Sequence, residues 1–166
     1  MSVVAVKIYE KEIIMSADSI IVHGESDKTP VGRGKIFEVN GMLIGSSGLA
    51  HEGIHMALFA ENHTPLSMDD REMTKYMNEF YNWCEKEFGA SPEDYNTQFL
   101  IAYKGKVFYC SGPYVGEVNE YYSIGAGKDY AAAALYLGHS PAEAVKVACA
   151  LNCFVSEPII TKSIMR

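Results

Sequence analysis

Apolar positions begin almost at the first residue and change period several times along the chain. Residues 2–9 are rich in Val and Ile, Glu10-Lys11 can turn, and residues 13–17 continue as a second extended run, so the chain opens with two strands. Residues 22–34 mix Gly, Pro, Asp and Ser and read as a loop. Two further strands, 35–39 (KIFEV) and 42–46 (MLIGS), flank Asn40-Gly41, a dipeptide that suits the positive backbone angles of a two-residue hairpin turn. The period then becomes helical. A first helix is predicted over 50–62 and a second over 67–88, the latter opening with a Ser67-x-x-Asp70 capping box. In that second helix Met73, Met77, Phe80, Cys84 and Phe88 recur at three-to-four spacing and make one core-facing stripe. Strands return at 98–103, 106–110 and 121–124, separated by turns at Lys104-Gly105 and Ser111-Gly112-Pro113. Two helices follow, an Ala-rich one over 127–137 and another over 141–154. Ser140-Pro141-Ala142-Glu143 supplies the second with a cap, a first-turn proline and a capping-box glutamate. A short strand over 159–164 closes the pattern.

Strands, two helices, strands, two helices is an α+β order. Stacking the two sheets and laying one helix pair outside each buries every apolar face, so the expected architecture is a four-layer αββα sandwich in one domain spanning 1–166.

Composition narrows the function. The chain has 166 residues, 48% of them hydrophobic and 21% charged, which suits a folded domain. Its net charge of −7, with no basic run, argues against nucleic acid or an anionic membrane as partner. No apolar stretch is long enough to span a bilayer, and the first residues lack the charged and apolar regions of a signal peptide, so a cytoplasmic protein is expected. Cys84, Cys110, Cys149 and Cys153 form no C-x-x-C pair and read as packing thiols. No cofactor is implied.

The candidate chemistry lies at the N-terminus. Ser2 is small enough for the initiator Met1 to be removed before it, which would put a free α-amine beside its hydroxyl. An α-amine titrates at about 7.7–8.0, so part of it is neutral near pH 7 and can take the hydroxyl proton directly or through a water. Such a nucleophile needs a nearby cation to favour the alkoxide and a carboxylate to hold that cation. Lys35, at the start of the third strand, and Asp18, at the end of the second, can supply them.

These residues carry a resemblance. Ser2, the stretch MSADS around Asp18, the stretch GKIFEVNGMLIGSSGLA containing Lys35, then YYSIGAGKDYAAAAL and AEAVKVACALNCFVSEPI run in the order of the proteasome β-type subunits and HslV, which are N-terminal nucleophile hydrolases. The resemblance spans almost the whole chain. It implies peptide-bond hydrolysis at Ser2, tuning by Asp18 and Lys35, and an oxyanion hole at the glycine turn SSGLA, with Gly48 as its donor. It implies that the residue at the position of Asn152 orients the terminal amine and its water, and it places Ser156 at the family's final site serine. It also implies a homo-oligomeric ring acting on peptide or unfolded protein, with any ATP-dependent unfoldase a separate chain, since no P-loop is present. The chain departs from the pattern in several places: the nucleophile is Ser rather than Thr, Lys35 is displaced by one residue, Ala126 replaces the serine of G-S-G, Asn152 replaces an aspartate, Ser156 lies one residue further from Asn152, and the exit reads SEP rather than S-G-G. Those departures keep open a second reading, a ring-forming assembly protein without activity.

A third reading rests on His51-Glu52-Gly53-Ile54-His55, a literal H-E-x-x-H. On a helix both imidazoles share one face and could hold Zn²⁺, with Glu52 as general base and Glu72 or Glu79 as third ligand. Gly53 weakens that helix. In the sandwich the same stretch is simply the start of the first helix, with His51 and Glu52 facing solvent. His23, in the loop after Asp18, is expected to be exposed.

Overall fold

A computed structural model describes residues 2–23, 27–30 and 34–166. The first two strands, β1 (Val3–Ile8) and β2 (Glu12–Asp18), are followed by a hairpin of β3 (Ile20–His23) and β4 (Asp27–Pro30). Next come β5 (Ile36–Val39), β6 (Met42–Ser47), helix α1 (Ala50–Ala60) and helix α2 (Asp70–Phe88). The second half holds β7 (Gln98–Tyr103), β8 (Lys106–Ser111), β9 (Tyr114–Val118), β10 (Tyr121–Gly125), α3 (Lys128–Tyr136), α4 (Pro141–Leu151) and β11 (Ile159–Met165).

Two antiparallel sheets organise these elements, one in the order β10-β1-β2-β11 and the other β5-β6-β7-β8-β9. Alternation along each strand divides the core into three layers. Val4, Val6, Ile13, Met15, Leu43, Leu100 and Val107 fill the space between the sheets. Met42, Ile44, Phe99, Ile101 and Phe108 point the other way, onto α1 and α2. Val3 and Ala5 meet Ala131, Ala134, Ala144, Val145 and Ala148 of α3 and α4, whose small side chains let the helices lie close to the sheet. This is the αββα sandwich that the pattern predicts.

Some boundaries differ. Part of the expected loop over 22–34 is the β3–β4 hairpin, and the rest of it falls partly outside the described residues, as does Met1. Strand β9 has no counterpart in the sequence reading. The cap of α2 is Asp69, whose carboxylate accepts the Glu72 N–H at 2.9 Å, while the Ser67 hydroxyl donates to that carboxylate. At α4 the Ser140–Glu143 capping box forms as read, but the helix stops at Leu151 because Asn152 adopts an extended backbone.

Candidate functional site

The β1–β2 register pairs Val4 with Ala17, so Val3, just after the nucleophile candidate, faces Asp18 across the ladder. Asp18 is fully buried, and its carboxylate works in two directions. Oδ1 accepts the Val3 N–H at 2.8 Å, and Oδ2 accepts the Lys35 ammonium at 2.7 Å. Lys35 immediately precedes β5, where its carbonyl accepts the Ser46 N–H at 3.0 Å. Burial pulls the Lys35 ammonium below the ordinary lysine value, and the Asp18 charge and hydrogen bond push it back up. Ser2 is itself buried, at 3% exposure. Ser2, Asp18 and Lys35 are therefore brought together through the backbone of the residue that follows the serine.

The far side of Ser2 is formed by the loop after β10. Gly127 N–H donates to the Ser2 carbonyl at 3.2 Å. Gly125 lies so close that a Cβ there would sit 2.8 Å from the Ser2 carbonyl carbon and 2.5 Å from Ser47 Oγ. Asn152 Nδ2 donates to the Ala126 carbonyl at 2.8 Å, and its Oδ1 accepts the Phe154 N–H at 2.8 Å. Asn152 thus holds the loop that holds Ser2, one step removed from the serine. Ser156 is half-buried in the connection from α4 to β11, and among the described residues it makes no hydrogen bond to Ser2 or Asp18.

Gly48 occupies the turn between β6 and α1 with φ of +155°, and a Cβ there would lie 2.6 Å from the Thr97 Cα. The adjacent Leu49 N–H is taken by Thr97 Oγ1 at 3.1 Å, which makes Gly48 the turn amide to consider for a substrate oxygen. Thr97, Gln98, Ser47 and Gly125 escaped the sequence reading. Their only sequence signal was polarity or small size at strand ends, beside otherwise apolar runs.

The H-E-x-x-H segment forms the first turn and a half of α1. His51 is exposed, but Glu52 is buried at 2% exposure rather than solvent-facing, close to Tyr81 and Cys84 of α2. His55 Nδ1 pairs with the Tyr95 hydroxyl at 2.8 Å, and its ring stacks on Phe88 with centroids 3.8 Å apart. Burial, and the neighbouring His51, hold the His55 imidazole below the ordinary histidine value against the opposing pull of Glu52. Glu72 caps the Leu66 N–H and Glu79 pairs with Lys75. Among the described residues, no three His, Cys, Asp or Glu side chains converge as metal ligands.

No protein-family model and no curated protein matches the chain. Solved structures do. Thiobacillus denitrificans BPH in complex with epoxomicin superposes with a TM-score of 0.85 at 20% identity, covering 98% of each chain. HslV from Trypanosoma brucei gives 0.77 at 13% identity over 99% of each. Anbu, the ancestral beta-subunit, from Yersinia bercovieri gives 0.72 at 14% identity over 98% of this chain and 81% of that one. At these identities the likeness is one of architecture, and the chain has the four-layer sandwich fold of the proteasome-like N-terminal nucleophile hydrolases.

Proposed function

We propose that the chain, as one domain over 1–166, is a peptidase subunit of a proteasome-like or HslV-like ring, with Ser2 as nucleophile once Met1 is removed. The observation that carries this reading is the Asp18 carboxylate, shared at 2.8 and 2.7 Å between the Val3 N–H and the Lys35 ammonium beside a buried Ser2. The Ser2 α-amine takes the hydroxyl proton, and Oγ bonds to the peptide carbonyl carbon. The oxygen that becomes negative is met by the Gly48 N–H. The protonated amine then gives its proton to the leaving nitrogen as the C–N bond breaks. Water, activated by the same amine, cleaves the resulting ester and restores Ser2. Lys35 stabilises negative charge on Oγ throughout, and Asp18 keeps Lys35 protonated against the burial that opposes it. No cofactor enters the reaction.

Assembly into a ring of copies is supported by apolar side chains left bare on the outer helix layer, among them Tyr136 and Leu137 at 77% and 74% exposure. Within that reading the substrate is peptide or unfolded protein, delivered by a separate ATP-driven chain in the cytosol. No described helix is long and apolar enough to cross a membrane. The second reading is an inactive ring-forming protein. It is favoured by Ala126, which offers only a methyl group, and by Asn152, whose amide is spent on the Ala126 carbonyl.

One experiment separates the two. Intact-mass analysis of purified protein reports whether Met1 is gone, and incubation with an electrophilic peptide inhibitor reports whether Ser2 reacts. The peptidase reading expects a mass beginning at Ser2, a single adduct, protection by epoxomicin and no adduct in Ser2→Ala. Retained Met1 and no adduct would establish the inactive reading.

A further inference from the structure

The site contains two residues that the reaction above does not use. Thr97 and Gln98 are consecutive at the entry to β7, and they reach opposite walls of the site. Thr97 is buried at 1% exposure; its Oγ1 accepts the Leu49 N–H at 3.1 Å, and its Cα backs Gly48. Gln98 shares its strand face with Leu100 and Ala102, the face turned toward the second sheet. Its Oε1 accepts the Gly125 N–H at 3.3 Å and its Nε2 donates to the Tyr109 hydroxyl at 2.9 Å. Gly125 in turn pairs with Val3 and packs on the Ser2 carbonyl. Gln98 also stands opposite Ser47 in the β6–β7 ladder, one residue before Gly48.

The consequence is geometric. Gly48 belongs to the five-stranded sheet and Ser2 to the edge of the other. Sheet packing alone joins them through flexible-ended apolar side chains, which do not fix a spacing to a fraction of an ångström. Thr97 fixes the turn that carries the Gly48 amide, and Gln98 ties the same strand to the loop that backs Ser2. We propose that Thr97 and Gln98 are positioning residues that set the distance from the Gly48 N–H to the Ser2 hydroxyl. This rests on the peptidase reading. One oxyanion donor is worth roughly 10²–10³ in kcat, and about 1 Å of misplacement can cost roughly 10². Loss of either tie should therefore act on kcat.

The test uses the full-length protein with Ser2 exposed, a fluorogenic peptide as substrate and an electrophilic peptide to count active sites. Thr97→Val keeps shape and removes the acceptor; Thr97→Ser keeps the acceptor. Gln98→Leu removes both bonds; Gln98→Glu keeps an acceptor for the Gly125 N–H, and the Tyr109 hydroxyl can turn to donate to it. Expected are falls in kcat of about tenfold to a hundredfold for Val and Leu, with KM within about twofold, and recovery to within about threefold for Ser and Glu. The two sites contact different walls, so if Thr97→Val does not fold, the Gln98 pair decides the question. An active wild type with unchanged kcat in Thr97→Val and Gln98→Leu, or a change confined to KM, overturns the positioning role alone. A wild type that neither turns over peptide nor takes the label overturns the peptidase reading and the positioning role with it.

Discussion

Replacing Asp18 by asparagine should give a destabilisation that shrinks as pH rises, and the size follows from the site. Asparagine fits the space and its carbonyl can still accept the Val3 N–H. Its amide NH₂, however, then faces the Lys35 ammonium, donor against donor, where a carboxylate oxygen now stands at 2.7 Å. Lys35 is only 12% exposed, so its charge is poorly served by water. Taking the carboxylate from a buried pair costs about 3–5 kcal/mol. The lysine has an escape: it can release its proton. From the ordinary value of 10.5, holding it neutral at pH 8 costs about 3.4 kcal/mol, and at pH 9.5 about 1.4 kcal/mol. That escape caps the penalty. The sign is fixed by linkage: the variant's unfolded chain binds a proton that its folded state lacks, so its stability climbs with pH up to about 10.5. In the wild type the Asp18 charge and hydrogen bond raise the lysine's value against burial, so its slope has the same sign and is weaker than the variant's. For a chain of this size each kcal/mol moves the melting temperature by about 2–4 °C. Melting both proteins at each pH should show Asp18→Asn lower by about 7–14 °C at pH 8 and by about 3–6 °C at pH 9.5. Adding Lys35→Met should remove the pH dependence of the gap. A penalty that is equal at both pH values, or larger at pH 9.5, would show that Lys35 does not depend on Asp18 for its charge.

Three further outcomes follow from individual contacts. Gly48→Ala meets both a positive φ and the Thr97 backbone, so its melting temperature should fall by about 2–8 °C and its peptide turnover by more than tenfold, read by calorimetry and a fluorogenic assay. Gly45→Ala would put a Cβ 2.6 Å from Met15 Sδ and 2.7 Å from Val4 Cγ1, in the layer between the sheets; about 1–3 kcal/mol of overpacking should appear in urea denaturation. The His55 imidazole is held below the ordinary histidine value, so the stability it lends is full above about pH 6.5 and is lost as pH falls toward its folded value. Thermal melts at pH 7 and pH 5 should therefore show a smaller acid-induced drop in His55→Gln than in the wild type.

Local signals were the legible ones. Asn40-Gly41 takes φ of 48° and 75°, the angles its hairpin demands, and Ser140 with Glu143 closes its capping box without help from the rest of the chain. The meeting of Ser2, Asp18 and Lys35 follows from one strand end and two strand starts, since Asp18 closes β2 while Ser2 and Lys35 immediately precede β1 and β5. Elements that lean on distant partners were not legible. Strand β9 lies at a sheet edge and exposes Tyr114 and Glu117, so it lacks the apolar alternation of an inner strand. Asp69 displaced Ser67 as cap because the motif S-M-D-D offers three side chains with oxygen acceptors, and geometry alone chooses among them. Glu52 is buried close to Tyr81 and Cys84 of α2, neighbours that its local H-E-x-x-H pattern does not encode. Thr97 and Gln98 contact residues 48 and 27 positions away in the chain, a separation no local pattern encodes.

The tie between Val3 and Asp18 also explains why the chain begins in a strand at all. On the peptidase reading Met1 is removed, Ser2 is left with no preceding residue to hold it, and free ends fray. Here the first ladder amide after Ser2 goes to a charged, fully buried acceptor, and the Ser2 carbonyl is held by Gly127. Hydrogen bonds to charged groups contribute about 1.5–3 kcal/mol, against about 0.5–1.5 for neutral ones. The strongest backbone bond of the strand therefore falls where fraying would begin. The same carboxylate holds the lysine, so a fluctuation that frees the terminus also loosens the charge beside it. If Ser2 is the nucleophile, as proposed, its anchoring and the tuning of its acidity are one event in this fold, because the Asp18 carboxylate that takes the Val3 N–H also takes the Lys35 ammonium.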